Sequence, residues 1–136
     1  MKYLAIDYGQ KRTGLAVCDP DERIASPLAV LQGRKRLAER IAEIVRTEQI
    51  DAVVVGLPLN MDGSRGPQAR KVMDFASELG KVLEIPIAFE DERLSSFEAG
   101  QRLAGTGLSR SGKARRIDAV AAAHILESFL ERKKRR

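Results

Sequence analysis

The sequence predicts a mixed α/β fold, a five-stranded sheet that starts antiparallel and continues parallel, with helices on both faces. Three observations carry this reading. An early Gly-bounded turn folds the chain back as a hairpin. After residue 34, apolar spacings of three and four alternate with short β-branched runs. A last helical pattern closes the chain. The 136 residues are read as one domain, 1–136, and a 43% hydrophobic share is enough to fill one core.

Taken in order, residues 2–7 (Lys-Tyr-Leu-Ala-Ile-Asp) read as a buried strand ending on an acid. Gly9–Gly14 is a turn, and Leu15–Cys18 returns as the second strand. Residues 24–31 form a third, edge-like strand, because Pro27 removes a ladder donor. Leu37, Ala38, Ile41, Ala42, Ile44 and Val45 fall at helical spacing and predict a helix over 34–48. Ala52–Gly56 is too short and too β-branched for a helix and fits a buried parallel strand. A Gly- and Pro-rich loop, Gly56–Pro67, leads to a helix with Val72, Phe75, Ala76 and Leu79 on one face. Pro86–Phe89 is the last strand. Ser95 with Glu98 makes a capping box and starts another helix. Gly105–Gly112 reads as a flexible polar segment, Ile117 to Arg132 as the final helix, and 132–136 as a disordered basic tail.

Composition excludes several classes. No apolar run reaches the roughly 18 residues that a membrane-crossing helix needs, so no membrane partner is expected. An acid at position 7 interrupts any signal-peptide core, which places the protein in the cytoplasm. Cys18 is the only cysteine, so an internal disulfide and a thiolate metal cluster are both excluded, and it reads as a small core hydrophobe. The net charge of +5 makes a polyanion a plausible partner. The cations gather at Lys11-Arg12, at Arg34-Lys35-Arg36, between Arg110 and Arg116, and in the tail. Each cluster taken singly reads as solvated surface. Three of the four lie beside acidic motifs or at a chain end, which favours nucleic acid. With no Trp, 2 Tyr and 4 Phe, the chain is poor material for a stacking platform for single-stranded bases.

Three acidic positions share a placement that folding alone does not demand. Asp7 ends the first strand, and Asp91 and Glu92 follow the last one. Ligand sites in such sheets lie at the carboxyl ends of parallel strands, so these acids meet if the first strand is central. Asp118 heads a helical stripe that continues through Ala122, Ile125 and Phe129, the face that packs on the sheet. An acid there is costly unless paired or bound to metal. The bland alternatives are a turn role for Asp7, a surface pair of Glu92 with Arg93, and a helix N-cap at Asp118 worth about 1 kcal/mol. Together the acids suit a hard cation, Mg²⁺ or Mn²⁺. Two such ions would activate a water and stabilise the leaving oxygen of a phosphodiester. Asn60–Ser64 faintly echoes a calcium loop, but the twelfth position is Lys71, so that reading fails. His124, six residues past Asp118, reads as packed.

The run Leu4–Gly14 resembles the opening of the YqgF/RuvX family. Val55–Gly63, Asp91–Ser96 and Ile117–Ala122 are similar to its remaining motifs, in order, over essentially the whole chain. The resemblance implies a RuvC-like, ribonuclease H-like fold. It implies Asp7, Glu92 and Asp118 as catalytic and metal-holding carboxylates, with Asp91 as the alternative to Glu92. RuvC-type enzymes use four acids, and no second acid follows Asp118 one turn later, which implies a leaner site. The implied activity is metal-dependent nucleic-acid hydrolysis, with a precursor of 16S ribosomal RNA favoured over branched DNA as substrate. A Holliday junction resolvase is the first alternative, and an RNA-binding ribosome-assembly factor without chemistry is the second. Lys11, Arg12, Asn60, Arg110, Lys113, Arg115 and Arg116 are the candidate nucleic-acid contacts. Cations in a first helical turn oppose the helix dipole, and a phosphate backbone entering the acidic site would compensate them. A monomer or weak homodimer suits this reading. The first hairpin is also similar to the phosphate loop of actin-like ATPases, which need two such domains around a cleft.

Overall fold

Two apolar runs take the centre of the sheet. The structure, a computed structural model, describes residues 1–94 and 110–135. Its strands are β1 (Tyr3–Asp7), β2 (Arg12–Cys18), β3 (Ala25–Gln32), β4 (Ala52–Leu57) and β5 (Ile87–Asp91), in the spatial order β3-β2-β1-β4-β5. β1 and β4 are the most apolar and the most buried of the five. The β1–β2 and β2–β3 pairs are antiparallel, and β1–β4 and β4–β5 are parallel. The carboxyl ends of β1, β3, β4 and β5 therefore share one rim with the start of β2.

Strand alternation sorts the side chains by size. Leu4, Ile6, Leu15, Val53 and Val55 point to one face, where α1 (Leu37–Thr47) and α2 (Pro67–Val82) cover them. Tyr3, Ala5, Ala16, Cys18, Ala52 and Val54 point to the other, under α3 (Arg110–Lys134). That second face is built largely of alanines, and α3 answers with Ala122, Ala123, Ile125 and Leu126. Small side chains on both surfaces let the helix lie close. At Gly14 even a methyl group is too much: a Cβ there would sit 2.0 Å from the Asp118 carbonyl oxygen.

Several boundaries differ from the sequence expectation for physical reasons. α1 starts at Leu37 rather than 34, because Arg36 before it adopts the left-handed conformation (φ 54°). β5 runs on to Asp91, beyond Phe89, because its charged end finds partners. α3 is already helical at Arg110, so the expected polar segment does not extend to Gly112, and Asp118 lies two turns inside the helix. An N-cap role for Asp118 is thereby removed. The tail read as disordered is helical through Lys134, with Arg132 paired to Glu90 and Lys133 to Glu22. The helix expected from Ser95 lies outside the described residues. Among the described residues, no helix is long and apolar enough to cross a membrane.

Candidate active site

Asp7, Glu92 and Asp118 meet at the rim because two glycines remove what would stand between them. In the β1–β2 register Asp7 faces Gly14, and Gly14 is where α3 touches the sheet at Asp118. On the other side of β1, a Cβ at Gly56 of β4 would lie 2.6 Å from Glu92 Oε1 and 2.6 Å from Ile125 Cδ1. Glu92, the first residue of a short 3₁₀ turn (Glu92–Leu94), thus folds back over Gly56 towards Asp7. All three acids lie on the α3 face.

The electrostatics follow from this crowding. Burial, a side-chain hydrogen bond shared with Glu92, and the charges of Glu92 and Asp118 push the Asp7 carboxyl up from 3.8 to about 9. The Arg12 guanidinium donates from Nε to Asp118 Oδ2 at 2.8 Å. The crowding therefore disfavours a charge on Asp7, and a guanidinium lies against Asp118. Among the described residues, no three His, Cys, Asp or Glu side chains already stand in ligating geometry. The donor set itself fits a hard divalent cation: carboxylate oxygens only, half-buried and crowded together, with one arginine beside them.

Asp91 points the other way. Consecutive strand residues face opposite sides, and Asp91 is clasped by Arg93, whose Nη2 lies 2.6 Å from Oδ2 and whose Nε and backbone N also donate to it. That pairing holds the Asp91 carboxyl below its usual range. Arg93 Nη1 also donates to the Met61 carbonyl at 3.0 Å, so the pair ties the end of β5 to the loop after β4. The bland alternative of Glu92 pairing with Arg93 is thus corrected, since the partner is Asp91.

The expected nucleic-acid contacts separate. Lys11 is exposed at the rim. Arg12 is engaged by Asp118. Asn60 turns into its own loop, donating from Nδ2 to Ser64 Oγ at 2.9 Å. Arg110, Lys113, Arg115 and Arg116 lie on the first two turns of α3 rather than on a loop, and their side chains lie outside the described residues. His124 is buried, with Nδ1 3.4 Å from Glu127. Cys18 is a buried free thiol that accepts a hydrogen bond from the Tyr3 amide.

The sequence reading missed Glu90. It is fully buried on the α3 face, accepting from Ser128 Oγ at 2.7 Å and from Arg132. The available signal was parity: Glu90 lies two residues before Glu92 and so shares its face. Glu90 is spent on holding α3, and it does not supply a fourth acid to the rim.

A mixed sheet in this order, with helices on both faces and acids at the ends of its first and last strands, defines a ribonuclease H-like protein. Two solved structures share the fold. RuvC of Thermus thermophilus has a TM-score of 0.59 at 18% identity, covering 98% of this chain and 97% of that one. The fowlpox virus Holliday junction resolvase has a TM-score of 0.56 at 13% identity, covering 97% and 99%. A family model described as "RuvX: Holliday junction resolvase" matches residues 1–132. A relative from Anaeromyxobacter sp. (strain Fw109-5) is 46% identical over 133 residues, 96% of this chain and 97% of the relative. One from Roseiflexus sp. (strain RS-1) is 40% identical over 132 residues, 96% and 94% of the two chains. Both relatives carry the name "Putative pre-16S rRNA nuclease". The chain belongs to the RuvX (YqgF) family.

Proposed function

We propose that this protein is a divalent-metal-dependent phosphodiester hydrolase that matures the 5′ end of pre-16S ribosomal RNA in the cytoplasm. The observation that carries the reading is the convergence of Asp7, Glu92 and Asp118, which together with burial pushes the Asp7 carboxyl up to about 9. A carboxyl so disfavoured as an anion serves little purpose in a metal-free fold and has a clear one beside a dication. Asp7, Glu92 and Asp118 would hold Mg²⁺ or Mn²⁺, with room in the chemistry for two ions. A bound ion supplies water activation and stabilisation of the leaving oxygen. The remaining work falls to the chain: Asp7, Glu92 and Asp118 would hold the ion as carboxylates, Arg12 beside Asp118 would pair with a substrate phosphate, and Lys11 would add charge at the rim. The names of the relatives support RNA as substrate, and the charge of +5 supports a polyanion.

The test is cleavage of a pre-16S rRNA 5′ leader and of a four-way DNA junction with Mg²⁺ or Mn²⁺, comparing wild type with Asp7→Asn, Glu92→Gln and Asp118→Asn. Loss of RNA cleavage in all three with binding retained is the expected result. Cleavage that persists in Asp7→Asn and Asp118→Asn overturns the site. Cleavage of the junction alone moves the substrate to branched DNA, and salt-dependent RNA binding without any cleavage leaves an assembly factor.

A further inference from the structure

We propose that a pocket on the opposite side of the rim from the acids, floored by Tyr8, takes one unpaired nucleobase of the strand being cut. The proposal rests on the nuclease reading and adds a base-binding subsite to it. The chain leaves β1 at Asp7 and places Tyr8 next, so one peptide step separates the acid cluster from the pocket floor. The Tyr8 ring stacks on Phe75 of α2, with centroids 4.4 Å apart and planes 18° from parallel. Phe75 is buried, whereas Tyr8 stays partly open to a pocket of about 450 Å³. One aromatic pair, backed from behind, provides a stacking surface that the low aromatic count of the sequence had argued against.

The rim of the pocket has the composition a nucleotide needs. Arg34, Arg36 and Lys71 supply cations, and none of them has an ion-pair partner among the described residues. Three acids also line the pocket: Glu78 is paired with Lys81, and Glu39 and Asp74 supply acceptors for the amino edge of a base. The loop that carries the two arginines is held at the same rim, since the Gly33 amide donates to the Lys11 carbonyl at 2.8 Å. Arg36 is also strained: it sits at φ 54°, ψ 33°, where glycine is at ease and a long side chain is not, and it caps α1 without a side-chain hydrogen bond. Its carbonyl accepts from the Arg40 amide at 3.0 Å, so the strained backbone opens α1 while the side chain takes no part in that cap. A backbone phosphate at the acids and the adjoining base on Tyr8 fit one continuous strand. A base bound there has to be unpaired, which favours single-stranded or frayed RNA over an intact duplex.

The experiment uses a short single-stranded RNA carrying 2-aminopurine, moved position by position, bound to the full chain without divalent metal. Cleavage of the same RNA is measured separately with Mn²⁺. Stacking on Tyr8 should quench one position strongly. Tyr8→Leu should abolish that quenching and weaken binding about tenfold, as expected for the loss of one base stack. Tyr8→Phe should retain both. Lys71→Ala and Arg34→Ala, on exposed positions that leave the core untouched, should weaken binding without moving the quenched position. If wild type cleaves yet no position is quenched, or if Tyr8→Leu quenches as before, the pocket is overturned and the nuclease reading stands. If quenching depends on Tyr8 but wild type never cleaves, the pocket is supported and the nuclease reading falls. Quenching of 2-aminopurine riboside 5′-monophosphate as tight as that of the strand would overturn the proposal in favour of a free-nucleotide site.

Discussion

Replacing Asp7 with asparagine should make the metal-free protein more stable while abolishing cleavage. The folded chain keeps a proton on Asp7 up to about pH 9, whereas the unfolded chain releases it near 3.8. Between those values the folded state binds the extra proton, so stability falls as pH rises, by about 1.4 kcal/mol per unit for one proton. The contribution is fully present below pH 4 and is lost as pH climbs through the folded value. At pH 7 the accumulated cost has a ceiling of about 4 kcal/mol, which the uncharged amide avoids. For a chain of this size each kcal/mol moves the melting temperature by about 4 °C. Thermal melts of wild type and Asp7→Asn in chelator, from pH 5 to 9, should therefore diverge steadily with pH, the variant melting higher. Saturating Mn²⁺ should raise wild type far more than the variant, since binding to the folded state adds stability by mass action. Parallel pH curves for the two proteins, or a variant that melts lower throughout, would refute the electrostatic argument.

Glu92→Gln should eliminate cleavage, whereas Asp91→Asn should keep it, reduced by the loosened loop after β4; the reverse pattern in the same assay would reassign the ligand. Because Arg93 depresses Asp91, its stabilising contribution holds above pH 3.8 and is lost as pH falls through the lower folded value, so acid titration of Asp91→Asn should show a flatter decline. Gly56→Ala should cost about 1–3 kcal/mol and most of the activity, since the added methyl meets Glu92 and Ile125, as denaturant melts and cleavage rates would show. Arg36→Gly should stabilise the fold by about 1 kcal/mol through relief of the left-handed residue while weakening RNA binding in a filter assay. Arg132→Ala should cost about 2–3 kcal/mol by urea unfolding, less than for a fully buried pair because Arg132 is half exposed. Adding Glu90→Gln to it should recover part of that loss.

Much of the site is legible in two periodicities. Ala5 and Asp7 alternate with Leu4 and Ile6, and Ala88, Glu90 and Glu92 alternate with Ile87, Phe89 and Asp91. Matching the alanine faces assigns Asp7 and Glu92 to one side and Asp91 to the other. Parity thus separates Asp91 from the Asp7 face, and the 3₁₀ turn that begins at Glu92 turns that acid back towards Asp7, whereas the motif resemblance left both acids open. The start of α3 was less accessible. Ser111-Gly112 has the local preference of a turn, yet the helix already runs from Arg110. The tail was misread as well. Arg132 and Lys133 look like solvent charges until Glu90 and Glu22, each more than forty residues away in sequence, are brought beneath them. No sequence signal marks Arg36 as left-handed.

The two ends of α3 divide the labour of the fold. At the rim, Gly14 admits the helix and Arg12 receives Asp118, so this end sets the position of an acid relative to Asp7. Ten to fourteen residues further, roughly 15–21 Å along the axis, Glu90 binds Ser128 and Arg132, and Tyr3 meets Phe129 edge-on at 5.1 Å. Between the two ends, Ala122, Ala123, Ile125 and Leu126 pack on the alanine-rich face of the sheet. Changes at the distal clasp should therefore lower stability and leave cleavage per folded molecule intact, while a methyl at Gly56 should do more to cleavage than to folding. Arg132 and Gly56 are linked through Glu90, which binds Arg132 and faces Gly56 in the β4–β5 register, so their effects on stability should couple. If Arg132→Ala and Gly56→Ala instead add within error in urea unfolding, Glu90 does not transmit the loss of its arginine to the neighbouring strand.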